Sequence, residues 1–100
     1  MLHTVNKSPF ERNSLESCLR LSAAGSAILL FEDAVVGAVT GTNIADKVSA
    51  ALADREIYVL GPDLAARGLD QSKLIDGIKV VDYGGFVDLS VEKGAVQAWV

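Results

Sequence analysis

Ser26-Ala27-Ile28-Leu29-Leu30-Phe31 holds the longest apolar run of the chain, unbroken from Ala27 to Phe31. It has no alternation of polar and apolar positions, as expected of a central strand covered on both faces of a sheet. Similar short runs recur to either side of it. Leu2–Val5 reads as a first strand. Glu56-Ile57-Tyr58-Val59-Leu60 reads as a third, closed by Gly61-Pro62. Ile78-Lys79-Val80-Val81-Asp82 is a fourth, and Ala95-Val96-Gln97-Ala98-Trp99-Val100 a fifth.

Helical stretches lie between these strands. Ser8-Pro9-Phe10-Glu11 has the form of a capping box, with Ser8 at the N-cap, Pro9 at N1 and Glu11 at N3. Asn13 with Glu16 offers a second start. Leu15, Cys18, Leu19 and Ser22 follow at helical spacing, and Gly25 is expected to end the helix. Glu32-Asp33 opens a short piece, Ala34–Val39, closed by Gly41. Thr42 or Asn43 is expected to cap the next helix, whose apolar face is Ile44, Val48, Ala51 and Leu52. Pro62-Asp63 starts another, with Gly68 at the C′ position. Phe86, Leu89 and Val87 give a last helical turn before Gly94. Strand–helix alternation along the whole chain predicts a three-layer α/β/α fold around a five-stranded, mostly parallel sheet. Residues 1–100 show no linker, repeat or low-complexity segment and are expected to form a single domain.

Length and charge narrow the function classes. A chain of 100 residues, 50% of them hydrophobic, can build a core but has little margin. The net charge is −4, and the nine Lys and Arg residues are scattered. Direct binding to a nucleic-acid backbone is therefore not expected. Met1-Leu2-His3-Thr4-Val5 has neither a basic n-region nor a small-residue cleavage site, so no secretory leader is expected. No apolar stretch is long enough for a membrane span. A cytoplasmic, reducing compartment fits, in which Cys18 is a free thiol.

Cys18 is the only cysteine. A single cysteine closes no disulfide within the chain and builds no thiolate metal cluster. It is either a small buried hydrophobe, as its place in the apolar arc suggests, or a residue doing sulfur chemistry alone. The second reading needs an opening to the thiol and a nearby cation. His3, the only histidine, lies inside the first strand. It is either hydrogen-bonded for structure or orients a partner group. No metal site is expected, because His3 has no second ligand at a fixed spacing. Glu32-Asp33 lies at the C-terminal end of strand two, where sites collect in open α/β sheets; plain helix capping is the alternative. A phosphate-accepting receiver domain would need acidic residues after strands one and three, but Asn6-Lys7 and Gly61-Pro62 stand there. Gly37–Gly41 and Gly84-Gly85 complete neither a dinucleotide nor a Walker pattern. Cys-x-x-Cys is absent. A phosphocysteine carrier would place its cysteine in the loop after strand one, whereas Cys18 is well inside a helix. Trp99, the only tryptophan, ends an apolar strand and is either packed in the core or part of a subunit contact.

Several stretches together resemble the DsrH/TusB family. They are Met1-Leu-His-Thr-Val-Asn-Lys-Ser-Pro-Phe10, Leu29-Leu30-Phe31-Glu32-Asp33, Tyr58-Val-Leu-Gly-Pro-Asp-Leu-Ala-Ala-Arg-Gly68, Val81-Asp82-Tyr83-Gly-Gly-Phe86-Val87-Asp88-Leu89 and Val96-Gln97-Ala98-Trp99. They run in the expected order over essentially the whole chain. The resemblance implies a small cytoplasmic subunit of a DsrEFH/TusBCD sulfur-relay complex, a dimer of heterotrimers. Its partners would be DsrE/TusD-like and DsrF/TusC-like subunits. Sulfur would come as a persulfide from a TusA-like donor and leave to a DsrC/TusE-like acceptor, for sulfur oxidation or for tRNA 2-thiouridine. The main catalytic cysteine would sit on the DsrE/TusD-like partner, which makes this chain a non-principal subunit. No cofactor is implied. Cys18, within Asn13-Ser14-Leu15-Glu16-Ser17-Cys18-Leu19, resembles a cysteine of the DsrH branch and stands as the candidate catalytic residue, a second persulfide carrier. On that residue the sulfur-oxidation branch is favoured.

Overall fold

A computed structural model describes all 100 residues. Five strands are present: β1 (Leu2–Val5), β2 (Ala27–Leu30), β3 (Glu56–Leu60), β4 (Lys79–Val81) and β5 (Val96–Trp99). Four α-helices lie between them: α1 (Ser14–Leu21), α2 (Ala45–Ala51), α3 (Gly61–Ala66) and α4 (Tyr83–Lys93). Two 3₁₀ segments, Glu32–Ala38 and Gln71–Lys73, complete the chain. The sheet is entirely parallel, in the order β4-β3-β2-β1-β5.

That order explains the layers. From β1 to β4 the chain steps in one direction, and it then returns across the sheet to place β5 beside β1. Right-handed crossovers put the outgoing helices on one face and the returning helix on the other. The outgoing face carries the larger core. Val5, Ile28, Leu30, Ile57 and Val59 meet Leu15, Cys18, Leu19, Val35, Val48 and Leu64 there. On the opposite face Leu2, Ala27 and Leu29 pack with Leu89 and Phe86 of α4. All four β2 residues are buried, so the unbroken apolar run is the centre of both layers.

Local chemistry moved some boundaries. The first helix starts at Ser14, not at Ser8. The Ser8 hydroxyl accepts from the Phe10 N–H at 3.2 Å instead of from Glu11. The Ser8 carbonyl takes the Glu11 and Arg12 N–H groups. A single closed turn forms, and the chain leaves it at Asn13 to begin α1 afresh. The same helix ends before Gly25, because Ser22 is already extended with ψ 143°. Neither Thr42 nor Asn43 caps α2 with its side chain; the Thr42 carbonyl accepts from Ala45 at 3.2 Å, and a tight turn precedes the helix.

α3 ends as its sequence predicts. Gly68 takes φ +65°, its N–H bonds the Ala65 carbonyl, and the Leu69 N–H bonds Leu64. This is a Schellman closure. The last helix is longer than one turn, spanning 11 residues. Asp82 leaves β4 and caps it, its carboxylate accepting from the Gly85 N–H at 2.8 Å. A Cβ on Gly85 would lie 2.9 Å from the Val81 Cβ, so the glycine lets the helix start directly against β4.

Candidate functional site

α1 is amphipathic. It buries Ser14, Leu15, Cys18 and Leu19 and turns Glu16 and Arg20 outward. Its period therefore carries Cys18 into the larger core, where the residue is 0% exposed. Burial pushes the thiol up from 9.0 to about 12, against the opposing pull of Arg55 and Ser22. The protonated form of a thiol is a poor nucleophile. In the chain by itself, Cys18 is thus a neutral packing group.

Arg55 was not among the residues singled out in the sequence. It precedes β3, yet its guanidinium lies on the C-terminal end of α1. Nη1 donates to the Leu19 carbonyl and, at 2.9 Å, to the Ser22 hydroxyl. Nε pairs with Asp54 at 3.0 Å. The free carbonyls of a helix end and a fixed cation satisfy one another. The same positive charge is the one that acts on Cys18. A groove of about 350 Å³ runs between α1 and α2 over this region, lined by Leu19, Arg20, Lys47, Ala51 and Arg55 among others. Lys47 is paired with Glu16 across it.

His3 is 5% exposed and accepts at Nδ1 from the Trp99 indole N–H at 3.1 Å. Burial holds its pKa below the ordinary value, with the Met1 amino group and Arg55 adding to the shift. The histidine is thus bonded to the tryptophan, and Trp99 packs partly buried against the larger core.

Glu32 and Asp33 do stand at the C-terminal edge of the sheet. Asp33 pairs with Arg67 at 2.8 Å. The Glu32 N–H donates to the Asp63 carboxylate at 2.6 Å, with Glu32 held at φ +48°. Both lie in the first turn of the 3₁₀ segment, whose N-cap position is Phe31, so the expected helix capping by their side chains does not form. These bonds fasten the start of the 3₁₀ segment after β2 to α3 after β3. No group of three or more His, Cys, Asp or Glu residues lies together as a metal site. No helix is long and apolar enough to cross a membrane.

The chain is similar to known proteins along its length. A family model described as "DsrH like protein" matches residues 7–96. Proteins named "Protein TusB" are similar over 99 residues, which is 99% of this chain and 100% of each relative. They are 35% identical in Pectobacterium parmentieri, 40% in Erwinia tasmaniensis and 36% in Escherichia coli K12. Among solved structures, the ychN protein from E. coli superposes with a TM-score of 0.79 at 20% identity, over 98% of this chain and 97% of that one. A protein of unknown function, MTH1491 from Methanobacterium thermoautotrophicum, gives 0.74 at 16% identity, over 97% of this chain and 96% of that one. These two share the fold.

Proposed function

Because the chain belongs to the DsrH family, we propose that it is a subunit of a cytoplasmic sulfur-relay complex. The observation that carries this reading is the full-length match to proteins named TusB. The partners are DsrE/TusD-like and DsrF/TusC-like subunits. The complex takes persulfide sulfur from a TusA-like carrier and passes it to a DsrC/TusE-like protein. The TusB name of the relatives supports tRNA 2-thiouridine as the outlet, over the sulfur oxidation implied by the resemblance of Cys18 to a cysteine of the DsrH branch.

Each transfer is an exchange at sulfur. A thiolate attacks the outer sulfur of the donor's persulfide. One S–S bond forms, the donor's S–S bond breaks, and the donor leaves as a thiolate, with no net oxidation. Cys18 is the only residue here able to take part. For that it must become reachable at a subunit contact. A second reading is favoured by its complete burial and by the thiol pushed up to about 12. In that reading Cys18 is inert packing, and the chain completes the assembly while the partner's cysteine carries sulfur.

The test assembles the chain with its DsrE-like and DsrF-like partners, loads the complex from a persulfidated TusA-like carrier and weighs each subunit. Failure of the chain to assemble with them refutes the relay reading. An added sulfur atom on this chain, absent in Cys18→Ser, supports the carrier role. No added sulfur, with full transfer by Cys18→Ser, leaves the structural role.

A further inference from the structure

β5 is an edge strand with β1 as its only neighbour in the sheet. Most of its residues are exposed, with Val96 at 50%. One side-chain hydrogen bond joins it to that neighbour, from Trp99 Nε1 to His3 Nδ1 at 3.1 Å. The two rings stand 6.0 Å apart, tilted by 46°. An indole N–H only donates, so Nδ1 carries no proton and the imidazole is the neutral Nε2–H tautomer.

The surroundings favour that neutral state. The charged groups acting on His3 are the Met1 amino group and Arg55, both positive. β2 sets Ile28 opposite His3, and β5 sets Gln97 there. α1, which packs on β1 and β5, buries Cys18 and Leu19 and keeps Glu16 and Arg20 at the surface. Glu16 is taken by Lys47. No carboxylate is among the causes of the His3 shift, and α4, the other helix against β1, packs with Leu2 on the opposite face of the sheet. A groove of about 470 Å³, lined by His3, Gly25, Ser26 and Gln97, gives solvent a path to it.

We propose that His3 and Trp99 form a proton-operated latch that fastens the edge strand β5 to the sheet. A proton on Nδ1 turns the acceptor into a donor facing the Trp99 N–H, and the one side-chain hydrogen bond of β5 opens. The sign follows from a buried neutral histidine. The latch is closed at the ordinary histidine value of 6.5 and above, and opens as pH falls through the lowered value beneath it.

Trp99 is the only tryptophan, so its fluorescence reports the latch alone. The chain is titrated from about pH 8 to about pH 5 by emission, far-ultraviolet circular dichroism and amide hydrogen exchange. The expected result is a red shift of emission and a rise of about tenfold in β5 exchange relative to β2, with helix content unchanged. His3→Gln keeps a carbonyl acceptor and cannot titrate; its emission should stay flat. Trp99→Phe serves where that variant does not fold; its β5 exchange should be fast at every pH. A flat wild-type titration overturns the latch, as does an equal rise in all strands. So does the same transition in His3→Gln, or a pH-dependent β5 in Trp99→Phe.

Discussion

Cys18 should resist alkylation in the folded chain by about a thousandfold. Two independent routes lead to that figure. Raising the thiol from 9.0 to about 12 lowers the thiolate fraction near neutrality tenfold for each unit by which the pKa rises, so about 1000-fold in all. The other route is through opening. Cys18 is 0% exposed, sealed under Leu15 and Leu19 on the inner side of α1. A reagent that waits for α1 to lift meets an ordinary thiol, but only in the small open fraction. An opening free energy of about 4–5 kcal/mol sets that fraction near 10⁻³ to 10⁻⁴. The two routes are alternatives, and the faster one governs. Iodoacetamide labelling at about pH 8, quenched and weighed at intervals, measures the rate in folded chain and in urea-denatured chain. A folded rate within about tenfold of the denatured one would refute the burial argument, because neither route permits it. Repeating the labelling in the assembled complex then separates the two readings of the residue. A rate restored there marks a subunit contact that exposes the thiol.

Arg55→Ala should destabilise the chain by about 1–3 kcal/mol, since it strips the Leu19 carbonyl and the Ser22 hydroxyl of their charged donor at the buried end of α1. Urea unfolding measures this, and Arg55→Lys, which keeps the charge without the fork, should fall between the two. Alkaline pH should also weaken the fold. Cys18 and Tyr58 are both pushed up to about 12, the tyrosine by burial and by its bond to Glu56. A folded pKa above the unfolded value gives stability that is full below the unfolded value and lost as pH rises toward the folded one. The loss therefore begins near pH 9 for Cys18 and near 10 for Tyr58. Cys18→Ala should flatten the earlier part in melting curves recorded across that range; an unchanged slope would show that the thiol is not protected.

The elements that were legible in the sequence are those whose chemistry is local. Ala27–Leu30 has no polar residue to turn toward solvent, so it had to be central, and Gly68 stands where a helix needs φ above zero. The helix starts were less legible, because a capping signal states what a side chain can accept and not which N–H it takes. Ser8 chose the N–H two residues on and closed a turn. Gly84-Gly85 weakened the pattern of α4, although these small residues let that helix begin against Val81, with Asp82 as its cap.

The site divides along the same line. The spacing of Leu15, Cys18 and Leu19 on one helical face was enough to place the thiol in the core. Burial also gives the sign of its protonation shift; the opposing pull of Arg55 was not readable, because that residue reaches α1 across 36 residues of chain. Arg12 and Arg20, the cations nearest Cys18 in sequence, are exposed and are not among the groups that act on the thiol. The distant one is fixed there by the parallel register that sets Glu56 beside Ala27, so the residue before β3 falls level with the end of α1. A cation placed by the sheet is present in every folded copy. Burial nonetheless outweighs it in the single chain. Only a change in solvation at α1, of the kind a subunit contact supplies, can let Arg55 prevail and turn a packing residue into a nucleophile.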